Sequence, residues 1–333
     1  KMILAKPNSR FAWQPEIILP LLVVAGVFAF GEIKLSGQNP PASKLRVTLV
    51  QPSVPQSLIW DESANSNRFQ QLLALSENAL TNKTDLLLWP ESAVPEFDDA
   101  TYAAITNLIR AHHVWMIFNA DDWPSKNSGV FNAAFLFDPD GNFSDVYHKQ
   151  KLVMFGEYIP LARWLPFVKW FTPIQGGYAA GKNSVSFDLS GLGVKTSPLI
   201  CFEDTFPQLA RRAVHTGADF LVNLTNDGWF GDSAEQWQHM ANAVFRAVEN
   251  GVPLIRCTNN GVTCWIDGNG RVRKIFRDET GGIYGAGAMT IELPLRKNAP
   301  TFYNLHGDWF GWLCVAATAL WLAFFRLRTR RKN

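Results

Sequence analysis

Three reactive side chains follow apolar, strand-like runs, Glu91 and Cys201 directly and Lys149 after the strand and turn of 130–141. Glu91 follows L-L-L-W-P, Lys149 lies in Y-H-K-Q-K-L, and Cys201 closes P-L-I. In layered α/β folds, strand ends are where sites are built. A thiol nucleophile needs a base for its proton and a cation or N–H group for the developing oxyanion. Glu, Lys and Cys supply those parts without a histidine. Singly, each residue has an ordinary reading: a solvated turn Glu, a Lys on a solvated face beside His148 and Lys151, and a Cys acting as a small buried hydrophobe. Only the set of three points to chemistry.

Elements that can position them are readable around each residue. Leu45–Val50, Asp85–Trp89, Val114–Asn119, Val130–Asp138, Val194–Cys201, Phe220–Leu224, Leu254–Thr258 and Val262–Ile266 have strand character. Asn67–Leu80, Thr101–Ala111, Gln208–Thr216 and Ala234–Asn250 have helical spacing. D-G-N-G after Ile266 signals a hairpin. Continuous apolar strands alternating with helices imply an α/β fold with helix-covered sheets. The glycine cluster 281–287 lacks phosphate-loop spacing and reads as a loop.

The 333 residues are 47% hydrophobic and 18% charged, enough for a large core and too apolar for disorder. A net charge of +2 speaks against nucleic acid as a partner. That total is uneven. The first sixteen residues carry +2 and the last 25 carry +5, which leaves −5 for residues 17–308. Each basic end flanks an uncharged apolar run: Ile17–Gly31, 15 residues, and Trp309–Phe325, 17 residues. As helices these reach roughly 22 and 25 Å, slightly short of a hydrocarbon core of about 30 Å. We read residues 1–31 as a tail and transmembrane helix, 32–44 as a linker, 45–308 as the catalytic domain, 309–325 as a second transmembrane helix and 326–333 as a basic cytoplasmic tail. A signal peptide or a buried helix are the other readings of the first run. Basic ends on the cytoplasmic side put the middle on the far side. The first residue is Lys1, which suggests a piece of a longer polytopic protein.

No cysteine or histidine cluster has zinc spacing, so no metal is expected. Cys257 and Cys264 fall in neighbouring strand-like segments, where a disulfide and two buried thiols both stay open. Cys314 lies in the second apolar run. His239, on a helical pattern, reads as structural. Residues 153–178 combine Trp164, Leu165, Phe167, Val168, Trp170 and Phe171 with Arg163 and Lys169, an interfacial composition suited to a membrane-dipping arm.

W-P-E-S around Glu91, Y-H-K-Q-K-L around Lys149 and I-C-F-E around Cys201, in that order, resemble the Glu-Lys-Cys triad of the nitrilase (carbon–nitrogen hydrolase) superfamily. The resemblance runs from about Arg46 to Leu293. It includes N-L-T-N-D-G-W-F-G (223–231), W-Q-H (237–239) and R-C-T-N-N-G-V-T (256–263). With F-G-E-Y-I-P-L (155–161) and the flanking apolar runs, it is similar to the membrane branch, the apolipoprotein N-acyltransferases. That branch has several membrane helices before this domain, and this chain shows one.

The resemblance implies a nitrilase-like α-β-β-α sandwich with flanking transmembrane helices. It also implies ping-pong acyl transfer with no cofactor, with Cys201 as nucleophile, Glu91 as general base and Lys149 at the oxyanion. Glu157 matches a second essential carboxylate that holds Lys149, and Glu203 matches a further required position. Phe202 stands where the family often has Tyr. Substrate contacts are expected at Asn132, Trp164, Trp170, Phe202, Asn226, Trp229 and Phe230. The implied partners are a phospholipid acyl donor and a diacylglyceryl apolipoprotein acceptor. The implied location is the bacterial inner membrane, multi-pass, with a periplasmic catalytic domain. A membrane-tethered amidase that lets water resolve its thioester, and a non-catalytic lipid-binding homologue, are the alternatives.

Overall fold

The computed structural model describes residues 14–36, 43–125, 129–160, 177–295 and 299–330. In chain order the elements are α1 (Gln14–Ser36), β1 (Ser43–Gln51), α2 (Gln56–Ile59), α3 (Asn65–Ala79), β2 (Leu86–Leu88), α4 (Asp99–His112), β3 (Trp115–Asp122), β4 (Phe131–Phe137), β5 (Phe143–His148) and β6 (Phe187–Leu189). They continue with β7 (Val194–Ile200), α5 (Pro207–His215), β8 (Phe220–Thr225), α6 (Glu235–Asn250), β9 (Leu254–Thr258), β10 (Cys264–Ile266), β11 (Val272–Ile275), β12 (Gly287–Leu295), α7 (Phe302–His306) and α8 (Trp309–Arg330).

The strands form two six-stranded sheets, ordered β12-β1-β2-β3-β4-β5 and β11-β10-β9-β8-β7-β6. Each has a parallel centre, β1-β2-β3 in one and β7-β8-β9 in the other, with antiparallel strands outside it. The parallel strands read as apolar runs because both faces are covered; all six residues of β8 are buried. Leu45, Val47 and Leu49 of β1 meet Ile200, Val222, Leu224 and Ile255 in a core between the sheets. On the outer face of the first sheet, Phe69 and Leu72 of α3 pack with Ile105, Leu108 and Ile109 of α4. Leu209 and Ala213 of α5, with Ala243 and Ala247 of α6, cover the second sheet. The layers are therefore α-β-β-α, a nitrilase-like arrangement.

Cys257 and Cys264 do not pair. Cys264 is in register with Arg256, so it faces the helices, while the next residue, Cys257, faces the inter-sheet core. Period-two alternation puts the two sulfurs on opposite sides of the sheet, and both are free buried thiols.

The helices α1 and α8 outlast the apolar runs that suggest them. They hold 23 and 22 residues, or roughly 34 and 33 Å, because helix continues into the charged flanks. The linker expected at 32–44 thus loses Glu32–Ser36 to α1 and Ser43–Lys44 to β1. Within them, Glu16–Ser36 and Trp309–Thr329 are each long and apolar enough to cross a bilayer, and neither span buries a side chain in the protein. Residues 1–41 and 42–333 are separate compact units.

Candidate active site

The strand β2 supplies Glu91. Pro90 stops the apolar run, and the chain turns through Ser92 at φ 60°. Asn119 of β3 clamps that turn by accepting the Ser92 amide at 2.9 Å. Lys149 directly follows β5, and its amide donates to the Asn132 carbonyl at 2.9 Å. Cys201 directly follows β7 with φ 55°, a left-handed conformation that a non-glycine residue holds only under constraint. Glu203 supplies the constraint. One of its carboxylate oxygens accepts the Ile200 amide at 2.8 Å and the Tyr147 hydroxyl at 2.8 Å. The other accepts the amides of Gln150 (2.7 Å) and Lys151 (3.0 Å).

Lys149, 1% exposed, lies between two carboxylates. Its ammonium is 3.1 Å from Glu91 Oε1 and 2.7 Å from Glu157 Oε1. Asn132 Nδ2 donates to those same two oxygens, at 3.0 Å each, and is itself oriented by Asn119 at 2.6 Å. The second oxygen of Glu91 accepts the Asn226 amide at 3.1 Å; that of Glu157 accepts the Val153 amide at 2.8 Å. The Phe202 ring faces the ammonium, 5.6 Å from centroid to Nζ. Cys201 is the next residue back. Burial pushes the Cys201 thiol well up, Glu91 pushes it further, and Lys149 pulls against them. The resting sulfur therefore carries its proton. Burial opposes the Lys149 charge, but Glu91, Cys201 and Glu157 outweigh it and hold the ammonium.

The remaining expected contacts divide. The Asn226 side chain is occupied by Gln56, Gly228 and Asn259, so its main-chain amide, not its side chain, addresses Glu91. Trp229 and Phe230 are half exposed, and the Trp229 ring meets Trp60 at 6.1 Å. Trp164 and Trp170 lie outside the described residues. Reading the sequence alone missed Asn119, Tyr147 and Trp60. Asn119 sits at the polar end of a strand read as ending there, a weak signal; Trp60 is an isolated aromatic with no periodicity.

Among the described residues, Asp227, Glu235 and His239 are grouped closely enough for a cation, their ligand atoms lying within 4.8 Å. The group does not suit one. Arg256 already places its guanidinium 2.6 Å from Asp227, and both His239 nitrogens are engaged, at 2.8 Å from Asp227 and from Asp204.

The family model for carbon-nitrogen hydrolases matches residues 46–290. This chain belongs to the carbon–nitrogen hydrolase family. Among its curated relatives, the apolipoprotein N-acyltransferase of Geobacter metallireducens is 35% identical over 323 residues, covering 95% of this chain and 59% of that protein. That of Rickettsia prowazekii is 32% identical over 86% of this chain and 57% of that protein. The chain thus spans well under two thirds of the length of these relatives. Two solved carbon–nitrogen hydrolase folds superpose on it. An amidase from Nesterenkonia sp. has a TM-score of 0.58 at 18% identity, covering 82% of this chain and 99% of that one. Nit3 of Saccharomyces cerevisiae, in branch 10 of the nitrilase superfamily, has a TM-score of 0.57 at 20% identity, covering 78% and 93%.

Proposed function

We propose that this chain is the nitrilase-fold part of an apolipoprotein N-acyltransferase, with Cys201, Glu91 and Lys149 as its catalytic residues. The observation that carries this reading is the desolvated Lys149 ammonium shared by Glu91 and Glu157, next to a thiol that burial first, and then Glu91, keep protonated against the pull of Lys149.

A protonated thiol attacks an ester only if its proton leaves as the bond forms. Glu91 takes it while Cys201 Sγ bonds to the acyl carbonyl carbon of a phospholipid. The oxyanion forms beside Lys149. An ammonium has three donors; two are used on Glu91 and Glu157, and one is left for the oxyanion. A fixed cation in a site of low dielectric stabilises this charge without reorganisation. Collapse breaks the ester C–O bond, and Glu91 returns the proton to the departing lysophospholipid hydroxyl. The neutral α-amine of a diacylglyceryl-cysteine then attacks the thioester. Glu91 accepts the amine proton, the C–S bond breaks, and Cys201 is restored as the thiol. Ester and amine become alcohol and amide.

Glu157 holds Lys149 through its Oε1 at 2.7 Å. Glu91 and, more weakly, Glu157 disfavour an anion at the sulfur until the proton has moved. Water would divert the thioester to hydrolysis, so the mouth must favour lipid. Exposed apolar side chains next to the site fit that need: Trp60, Met154, Phe155, Trp229 and Phe230. The apolar helices α1 and α8 support a membrane protein; with the basic ends, they favour a bacterial inner-membrane protein whose domain is periplasmic and whose tails are cytoplasmic.

Incubation of the chain with phosphatidylethanolamine vesicles should add one acyl mass to Cys201. A diacylglyceryl-cysteine peptide should then discharge it as N-acyl peptide. Release of free fatty acid with no N-acyl peptide would reject the transferase.

A further inference from the structure

Four ionisable side chains are locked together on the helix side of the second sheet. Arg256 of β9 is fully buried. Its Nη1 donates to Asp204 Oδ2 at 2.8 Å and Asn223 Oδ1 at 3.0 Å, and its Nη2 to Asp227 Oδ2 at 2.6 Å. His239 of α6 bridges the other oxygens of both aspartates, 2.8 Å to each. Burial and Arg256 oppose the imidazolium, but Asp204 and Asp227 prevail and push it up to about 9. Two cations and two anions therefore balance at neutral pH.

Each link of this quartet ends on a part of the site. Asp204 lies in the short turn Cys201–Thr205. Asn223, fixed by Arg256, donates its Nδ2 hydrogen to the Cys201 carbonyl at 2.8 Å. Asp227 opens the turn Asp227–Phe230, whose N-cap Asn226 gives its amide to Glu91. A left-handed cysteine is strained and persists only where its surroundings over-determine it. A general base must also be held within tenths of an ångström of its proton donor. A salt-bridge cluster this deep is a poor investment for stability alone.

We infer that Arg256, His239 and Asn223 are positioning residues that set Cys201 and the Asn226–Glu91 contact from behind, through Asp204 and Asp227. The inference rests on reading Cys201 as nucleophile and Glu91 as base. Nothing in the quartet touches substrate; it acts by holding two segments in fixed register.

The test uses the full chain in detergent micelles, in a Cys314→Ala background so that the exposed membrane thiol does not report. Two rates are followed by intact mass: thioester formation from phosphatidylethanolamine and carbamidomethylation of Cys201 by iodoacetamide. His239→Gln, Arg256→Lys and Asn223→Asp should each slow thioester formation at least tenfold at saturating lipid, in kcat more than KM. Alkylation should fall in parallel, at temperatures where circular dichroism shows the native fold. A merely structural role would lower the melting temperature and leave these rates unmoved. If His239→Gln or Arg256→Lys does not fold, Asn223→Asp decides. It keeps an acceptor for Arg256, removes the Nδ2 donor to the Cys201 and Leu199 carbonyls, and adds one carboxylate charge beside Arg256. Rates within twofold of the parent overturn the inference. Thioester formation that survives Cys201→Ser would instead overturn the nucleophile assignment, leaving the alkylation comparison across variants to stand or fall separately.

Discussion

Glu203 accepts the Gln150 amide at 2.7 Å, and its other oxygen accepts the Ile200 amide at 2.8 Å. Gln150 directly follows Lys149 and Ile200 directly precedes Cys201. One buried carboxylate thus fixes two strand ends that come from different sheets. Burial pushes its pKa up, while the Ile200 and Lys151 amides, Lys149 and Tyr147 pull against the rise.

Glu203→Gln removes one of the two acceptor oxygens and turns an NH2 group toward a donor. An unmet buried donor costs about 1–3 kcal/mol. The variant should unfold at lower denaturant by that amount and form the Cys201 acyl-enzyme at least a hundredfold more slowly. Urea melts and intact mass check the two parts.

Lys149→Met leaves Glu91 and Glu157 buried and facing each other without their cation. Breaking a buried pair from one side costs about 3–5 kcal/mol. Folding should be recovered in part in Lys149→Met/Glu157→Gln, which removes one of the stranded charges. Acyl-enzyme should be absent from both. A double-mutant cycle on denaturant stability measures the coupling.

Much of this site could be located from the sequence, but little of its wiring. L-L-L-W-P announces a buried strand and its stop, which puts Glu91 just past a strand end, and P-L-I does the same for Cys201. The strand carrying Lys149 was not foreseen. β5 is an edge strand with only Tyr147 buried, and F-S-D-V-Y-H lacks clean alternation. β12 is likewise absent from the strands legible in the sequence, although it pairs with β1 from Ser43↔Leu295 to Gln51↔Gly287; it opens at Gly287, the end of the cluster that reads as a loop. Arg256 sits in L-I-R-C-T, where a charge argues against a fully buried strand. Its partners Asp204, Asp227 and His239 come from three other segments, and only the tertiary fold brings them together. Register likewise settles Cys257 and Cys264, whose separation in sequence left pairing open.

Glu91→Gln should separate two reactivities of the same sulfur. Glu91 raises the Cys201 pKa and Lys149 lowers it, so removing the carboxylate's charge makes thiolate easier to form. Alkylation by iodoacetamide should therefore move to lower pH. Thioester formation, which needs a base during attack, should fall about 10²–10⁴-fold. Parallel loss of both rates would mean that Glu91 acts only by shaping the pocket.

Gly181 sits where there is no room for a side chain. Its amide donates to the Lys149 carbonyl at 2.8 Å, and a Cβ there would lie 2.1 Å from the His148 carbonyl oxygen. Backbone, not a flexible side chain, would have to move. Gly181→Ala should displace Lys149 from Glu91 and Glu157, with a loss of 1–3 kcal/mol in stability as for overpacking and a matching collapse in acylation. Gly191→Ala has open space around the added carbon and lies away from the site. It should lose only the backbone preference of a positive φ and keep its acylation rate.

The pH dependence of stability should carry the signature of His239. Its pKa rises from an ordinary 6.5 to about 9 in the fold. The folded state therefore binds a proton that the unfolded chain gives up near pH 6.5. Stability from this proton is fully present below pH 6.5 and declines as pH rises, until it is lost beyond pH 9. The total is about 3 kcal/mol at 1.36 kcal/mol per unit. Melting curves between pH 6 and 10 should show the wild type losing stability across that window. His239→Gln should start lower and stay nearly flat there. Parallel curves for the two proteins would show that the imidazole is neutral in the fold and that Arg256 alone balances the aspartates.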